Sequence, residues 1–151
     1  MWKFIGIIFM LKKIFLSSDH GGYKLKELVK VFLIKNNYTI EDLGCFSLDA
    51  VDYPDYAKIL SDKLKTYSNS QGILFCGTGI GISMAANRFT HIRAALCTSI
   101  EMASKSRKHN NANVLALGGR VLEANLAFDI VNEFLNTDFE AGRHSIRVDK
   151  I

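Results

Sequence analysis

Five short apolar runs, separated by segments with helical periodicity, are the feature that most constrains the fold of this chain. The runs are mostly apolar along both faces, as strands of a buried parallel sheet are. They are Ile14–Ser18, Tyr38–Leu43, Gly72–Cys76, Arg93–Cys97 and Ala112–Gly118. Between them, apolar residues recur at helical spacing. These helical faces are Leu25, Leu28, Val29 and Phe32; Ala57, Leu60, Leu64 and Tyr67; and Ala127, Ile130, Val131 and Phe134, with Ser83–Arg88 and Ile100–Lys108 as shorter candidates.

This alternation predicts an α/β fold, a three-layer, doubly wound (Rossmann-like) sheet of five parallel strands with helices on both faces. Such sheets bind ligands beyond the carboxyl ends of their strands, where the strand order reverses. In a 2-1-3-4-5 order, that point lies between the first and third strands. We therefore expect the loops after these two strands, residues 18–22 and 76–81, to lie side by side.

Length and composition indicate one domain without a disulfide framework. The 151 residues are enough for a single domain with a sizeable core, which we place at residues 12–151. We interpret residues 1–11, MWKFIGIIFML, as a non-functional N-terminal extension, with Met10 as an alternative start. Their apolar stretch is too short to span a bilayer and lacks a cleavage site. Three cysteines without CxxC spacing argue against disulfides and zinc, and favour a cytoplasmic protein.

The net charge of +4 does not by itself indicate nucleic-acid binding. The basic residues are spread along the chain, and no aromatic-interleaved basic stripe or known nucleic-acid motif is present. A solvated surface explains most of them. Arginine and histidine close to glycine loops favour a small phosphorylated ligand instead.

The segment ILFCGTGIGISMAAN, from Ile73 to Asn87, carries the strongest chemical signal. Gly77, Gly79 and Gly81 let backbone N–H groups turn toward one point, and the start of a helix adds its positive end, so we expect an anion hole. The spacing is neither that of a dinucleotide-binding fingerprint nor that of a phosphate loop with lysine. The alternative is a tight strand-to-helix turn without a ligand.

Cys76 immediately precedes these glycines. It is either a buried strand-end thiol or a base or nucleophile, because N–H donors and a helix N-terminus favour the thiolate. Other polar residues are expected on the same edge of the sheet. They are Asp19, His20, His109, Arg120, Arg143 and Arg147, the last two sharing a face if the tail is helical. No metal-ligand spacing accompanies them, so the set predicts metal-free proton transfer on a phosphorylated substrate.

Five motifs together resemble the ribose-5-phosphate isomerase B family over residues 12–148. They are SSDHGG, VDYPDYA, ILFCGTGIGISMAAN, RKHNNANVLALGGRV and EAGRHSIRV. The resemblance implies an isomerase that interconverts ribose 5-phosphate and ribulose 5-phosphate through an enediol(ate), in the non-oxidative pentose phosphate pathway, without a cofactor. The family includes allose-6-phosphate and galactose-6-phosphate isomerases, so a six-carbon sugar phosphate is an alternative substrate. A non-catalytic sugar-phosphate-binding module is the other alternative.

The resemblance also implies roles for individual residues. Cys76 matches the catalytic base, Thr78 matches a residue that holds the enediolate oxygens, and His109 matches the residue that opens the sugar ring. The positions matching substrate-binding or pocket-lining residues are Asp19, His20, Tyr53, Gly77, Gly79, Gly81, Asn110, Arg120, Arg143 and Arg147. The family pattern further implies a homodimer, in some relatives a dimer of dimers. The active site is then shared, with the His109 segment or the arginine tail reaching across from the partner.

Overall fold

The structure, a computed structural model, describes residues 13–151, so the predicted extension at residues 1–11 lies outside the described residues. Strands and helices alternate as expected, and each predicted strand is present with its ends shifted by about one or two residues. The elements are β1 (Lys13–Ser18), α1 (Tyr23–Lys35), β2 (Thr39–Asp42), α2 (Tyr53–Thr66), β3 (Gln71–Cys76), α3 (Ile80–Ala86), β4 (Ala94–Leu96), α4 (Ile100–Lys108), β5 (Val114–Gly118), α5 (Ala124–Asn136) and α6 (Arg143–Val148).

All five strands are parallel, and their order across the sheet is β2-β1-β3-β5-β4. The order 2-1-3-4-5 used above is therefore wrong for the last two strands. β5 is buried along its whole length and takes the interior position, whereas the shorter, half-buried β4 forms the edge. The reversal point lies between β1 and β3, as predicted. The chain continues from β1 to β2 on one side of the sheet, and from β3 to β4 and β5 on the other side.

Side chains that alternate along the strands divide the core into two apolar layers. Phe75 points toward the layer formed with α1, α4 and α5, and its neighbours Leu74 and Cys76 point toward the layer formed with α2 and α3. Helices thus cover both faces of the sheet, which confirms the three-layer prediction. None of the helices within residues 13–151 combines the length and the apolar character needed to cross a membrane.

Candidate active site

The predicted site residues form two groups at opposite edges of the sheet. The carboxyl-edge group follows β1, β3 and β5 or lines their loops; it contains Asp19, His20, Tyr53, Cys76, Gly77, Thr78, Gly79, Gly81 and Arg120. The amino-edge group follows α4 or belongs to α6; it contains His109, Asn110, Arg143 and Arg147. The expectation that both groups share one edge of a single chain is wrong, because α4 runs back to the amino edge before β5 begins.

The strand register gives the scale of this separation. Cys76 pairs with Gly118 at the carboxyl end of β5, and Gly72 pairs with Val114 at its amino end. Four residues of parallel strand cover about 13 Å. His109 lies beyond the amino end of β5, close to Arg93 at the start of β4, whose Nε donates to the Asn111 carbonyl at 2.7 Å.

Glycines allow the three carboxyl-edge loops to pack backbone against backbone. A Cβ atom on Gly118 would lie 2.6 Å from the Thr78 carbonyl oxygen, and one on Gly119 would lie 2.8 Å from the Gly21 carbonyl oxygen. One on Gly22 would collide with the backbone of Phe75. The predicted contact between the loops after β1 and β3 is therefore present, with the loop after β5 packed against both.

Cys76 ends β3 at the base of the glycine loop. Its side chain is buried, at 4% exposed, and the Gly79 N–H donates to its sulfur at 3.1 Å. Gly79 has a φ of +80°, which glycine adopts without strain, and this conformation aims the N–H back at the sulfur. The loop therefore offers the Cys76 sulfur a fixed backbone donor.

The other two cysteines are also buried but lack this arrangement. Burial raises the pKa of the Cys97 thiol to about 11, so that this group is a neutral thiol at pH 7. The Cys45 thiol donates to the Ser47 carbonyl oxygen at 3.4 Å. Among the three, the glycine loop therefore distinguishes Cys76.

The remainder of the glycine loop presents polar groups and an aromatic wall. Thr78 is exposed, and its Oγ1 accepts the Ile80 N–H at 3.2 Å at the start of α3. A Cβ atom on Gly81 would lie 2.7 Å from the Tyr53 ring, so the phenol packs directly over this glycine. Tyr53, which the resemblance gives as a pocket-lining position, thus lies beside the glycine loop.

Asp19 and His20 are held in place by backbone groups. Asp19 is 7% exposed, and its Oδ1 accepts the Gly22 N–H at 3.0 Å, which leaves the second carboxylate oxygen for another partner. The Nδ1 atom of His20 lies 3.2 Å from both the N and the O atoms of Val51, in the segment before α2. These contacts fix both side chains next to the glycine loop.

Arg120 supplies a positive charge to the carboxyl-edge group. Its backbone N–H donates to the Gly77 carbonyl at 2.9 Å, and its Nη1 lies 3.3 Å from where a Cβ atom on Gly77 would be. The guanidinium thus lies over the loop, and its side chain is exposed. This position suits it to bind an anion that also contacts the loop N–H groups.

A buried ion cluster supports the β1 and β2 ends of the same edge. Lys26 is fully buried, and its Nζ donates to both carboxylate oxygens of Asp42 at 2.8 and 2.7 Å. Asp42 also accepts the Gly44 N–H at 3.0 Å, and the Gly44 carbonyl accepts the Ser18 N–H at 2.6 Å. The cluster therefore fixes the backbone directly before Asp19, a role that the sequence patterns did not reveal.

At the amino edge, the His109 ring stacks on the ring of His144. The ring centroids are 4.2 Å apart and the planes differ by 14°. His144 is 6% exposed, and the two histidines, Asn110 and Arg147 border a cavity of about 340 Å³. The tail is helical, which is the condition for Arg143 and Arg147 to share a face, and both arginines are exposed on α6. The sequence analysis did not single out His144, because its burial cannot be seen in a charged tail.

Two partly buried arginines shape the turn after His109. Arg107 donates from Nη1 to Asn111 Oδ1 and from Nε to the Thr137 carbonyl, both at 3.1 Å. Arg93 donates to the Asn111 carbonyl, and Asn111 itself has a φ of +47°. Burial lowers the pKa of both guanidinium groups, which nevertheless stay charged at neutral pH. They hold the left-handed turn that follows His109 and Asn110.

The amino-edge group is poorly suited to bind a metal ion. Ligand atoms of His109, Glu140 and His144 lie within 4.8 Å of one another. The imidazole planes are nearly parallel, however, so their in-plane lone pairs do not converge on one point. The neighbouring positive charges of Arg143 and Arg147 disfavour a cation further.

Comparison with known proteins identifies relatives over nearly the whole chain. The sequence profile of the family described as Ribose/Galactose Isomerase matches residues 14–151. Ribose-5-phosphate isomerase B of Escherichia coli (strain K12) is 42% identical over 141 residues, which are 93% of this chain and 95% of that protein.

Solved structures agree with these sequence relatives. A ribose 5-phosphate isomerase from Thermotoga maritima has a TM-score of 0.90 and 50% identity, covering 92% of this chain and 96% of that chain. Ribose-5-phosphate isomerase B from Mycoplasma genitalium, solved with bound ribulose-5-phosphate, has a TM-score of 0.88 and 44% identity, covering 91% of this chain and 92% of that chain.

Proposed function

The chain belongs to the Ribose/Galactose Isomerase family, and on that premise we propose that it interconverts D-ribose 5-phosphate and D-ribulose 5-phosphate. The observation that carries the proposal is the glycine loop at the carboxyl edge, where the Gly79 N–H donates to the Cys76 sulfur. A sugar-phosphate binder needs cations but no thiolate base, so this arrangement favours catalysis over binding alone.

Cys76 acts as the base in this proposal. Its thiolate removes the proton from C2 of the open-chain aldose, and the C1 carbonyl takes up the electron pair to give an enediolate. The thiol then returns the proton to C1 while the proton of the C2 hydroxyl passes to O1, so that C2 becomes the ketone and C1 carries the hydroxyl. The net change moves one proton from C2 to C1 and one from O2 to O1, with no redox partner needed.

The loop N–H groups and Thr78 stabilise the negative charge that develops on O1 and O2. Fixed backbone donors of this kind contribute about a hundredfold to a thousandfold in rate. Asp19 offers its second carboxylate oxygen to a sugar hydroxyl, and Tyr53 forms a wall of the pocket. His20 and Arg120 lie beside the loop and bind the phosphate or line its pocket together with Arg143 and Arg147.

The amino-edge group completes the site from a second copy of the chain. His109 opens the furanose ring, Asn110 contacts the sugar, and Arg143 and Arg147 bind the phosphate. One chain holds these side chains at the sheet edge opposite Cys76, so a homodimer with a shared site brings the two groups together. Residues 12–151 then act as one isomerase domain in a cytoplasmic enzyme of the pentose phosphate pathway.

Exposed apolar side chains near the carboxyl edge support this pairing. Ile80 and Met84 on α3 are 47% and 66% exposed, and Ile100 and Met102 on α4 are each 43% exposed. Large apolar side chains grouped beside a half-complete site are typical of a surface that a partner covers. We infer that a second subunit covers this surface, as a shared site requires.

The experiment that tests the function compares three substrates with the purified protein. We expect turnover of ribose 5-phosphate to ribulose 5-phosphate, unchanged by EDTA, and at least about tenfold lower kcat/KM for allose 6-phosphate and galactose 6-phosphate. Faster turnover of a six-carbon substrate would assign the chain to that branch of the family. Phosphate binding without turnover of any substrate would leave a binding module, and loss of turnover in EDTA would contradict the metal-free step.

A further inference from the structure

We propose that His144 is a positioning residue: its stack on His109 anchors α6 and sets the distance between the ring-opening histidine and the phosphate-binding arginines. The inference rests on the proposed function and extends it, because it names the side chain that makes the amino-edge group a unit. It concerns a histidine that the motif resemblance did not assign.

The first argument is the size of α6. The helix has six residues, and helices shorter than about 12 residues are marginal in water unless tertiary packing holds them. Within α6, from Arg143 to Val148, His144 is the residue that is buried. Ile146 is 65% exposed, so the apolar side chain of that turn does not anchor the helix.

The second argument is what His144 packs against. Its ring covers the face of His109 at 4.2 Å, and His109 follows directly after α4. A backbone hydrogen bond lies nearby, in which the Glu140 N–H donates to the Lys108 carbonyl at 3.1 Å. The stack is thus a direct side-chain contact between α6 and the residue that follows α4.

The third argument is charge. Burial lowers the pKa of His144, and the positive charges of His109, Arg143 and Arg147 lower it further, while Glu140 at 3.8 Å opposes them. A neutral imidazole can lie face to face with His109 in either protonation state of His109, whereas two imidazolium rings would repel each other. Position 144 therefore requires a flat side chain without charge.

Three variants test the proposal. His144→Ala removes the stack, His144→Phe replaces it with another flat neutral ring, and His91→Ala is the control. His91 is a partly buried histidine whose Nε2 lies 2.6 Å from the Ser61 carbonyl oxygen on α2, and it does not border the cavity beside His109 and His144. Circular dichroism and thermal unfolding check that each variant is folded before any other measurement.

We expect His144→Ala to raise KM for ribose 5-phosphate and the inhibition constant of inorganic phosphate by at least about tenfold, equivalent to about 1.4 kcal/mol. We expect His144→Phe to stay within about threefold of the wild type in both constants. His91→Ala should lower thermal stability without changing either constant. If His144→Ala weakens phosphate binding and His91→Ala lowers only thermal stability, His144 positions the phosphate-binding residues and is not merely structural.

Nuclear magnetic resonance detects the stacking of His109 on His144 without any need for catalysis. The chain has four histidines, so labelled Cε1–H signals are few, and stacking shifts the His109 signal through the ring current. His144→Ala should remove that shift and His144→Phe should keep one. The proposal is overturned if phosphate affinity is unchanged in His144→Ala, or if His144→Phe is as weak as His144→Ala. Because phosphate binding and the His109 signal need no catalysis, an inactive wild type would refute the proposed function separately.

Discussion

At the carboxyl edge of the sheet, backbone contacts define the site: three loops touch through glycines, and an N–H group is aimed at the Cys76 sulfur. At the amino edge, a six-residue helix is attached through the stack of two imidazole rings. The carboxyl-edge loops leave no room for a Cβ atom on Gly22, Gly118 or Gly119, whereas the helix at the amino edge is attached through a side-chain stack. Substitutions in the packed loops should therefore reduce stability, whereas substitutions in the stack should reduce ligand affinity.

The largest expected effect is on turnover when the carboxyl-edge thiol is removed. Cys76→Ala should lower kcat for ribose 5-phosphate by about a hundredfold to ten-thousandfold, the contribution that a general base makes to rate. Cys97→Ala is the matched control, a buried thiol in the other core layer, and should keep kcat near the wild-type value. Steady-state kinetics of both variants, with folding checked by circular dichroism, measure the difference.

Mixing inactive variants shows whether the halves come from different copies. Cys76→Ala and His109→Gln homodimers should regain activity after subunit exchange, since each mixed dimer contains one intact site. Random exchange in a two-fold dimer should give about a quarter of the wild-type turnover. No recovery in a mixture shown by mass spectrometry to contain mixed dimers would contradict the shared site.

The next effect concerns the packing of the glycine loops. Gly118→Ala places a methyl group 2.6 Å from the Thr78 carbonyl oxygen, and backbone on both sides limits relief. We expect a loss of about 3 kcal/mol in unfolding free energy and, in the folded fraction, about a hundredfold lower kcat. Urea unfolding and kinetics measure both.

The amino edge supplies the comparison for this glycine. Gly142 precedes α6 with a φ of +59°, and a Cβ atom there would meet nothing within 4 Å. Gly142→Ala should cost only about 1 kcal/mol, from backbone strain without a clash. Equal losses for the two substitutions would mean that crowding does not distinguish the two edges.

A stability effect smaller than that of Gly118→Ala is expected from the buried ion cluster, and it depends on pH. Burial alone would raise the pKa of Asp42, but hydrogen bonds from Lys26, Lys30 and the Gly44 N–H bring it below its ordinary value of 3.8. A carboxyl with a lowered folded-state pKa stabilises the fold above its unfolded pKa and loses that contribution as the pH falls through the folded value.

Asp42→Asn should therefore lower the unfolding free energy by about 2 kcal/mol at pH 7. The difference from the wild type should persist down to about pH 4 and shrink only below it. Urea unfolding at several pH values provides the measurement, with Asp62→Asn, an exposed partner of Lys58, as the control. A difference that is constant down to pH 2 would exclude the ionised carboxylate as its source.

Much of this architecture can be predicted from the sequence. The five apolar runs predict the strands, because strands depend on local pattern, and the doubly wound topology predicts the reversal point between β1 and β3. The spacing of Arg143 and Arg147 indicates a shared face only on the condition that the tail is helical, which the structure meets. The family predicted from the motifs is confirmed by the profile match and the solved relatives.

The rest depends on contacts between distant segments. The exchange of β4 and β5 follows from which strand is better buried, and residue spacing does not encode that competition. From the sequence alone, Lys26 is expected to be an ordinary lysine on a helix surface, and only the structure shows Asp42 beside it. His144 is likewise expected to be part of a charged tail, and only the structure shows its ring stacked on His109.

The two outer strands of the sheet limit how copies of this chain can associate. β4 is three residues long, and β2 carries Glu41 and Asp42, so neither rim offers a long apolar ribbon for another strand to extend. These two edge strands therefore disfavour a β-sheet that continues from one subunit to the next, and they also disfavour the fibrous stacking that long apolar edge strands promote. Copies that assemble must instead meet through helices and loops, the elements that carry the two halves of the site.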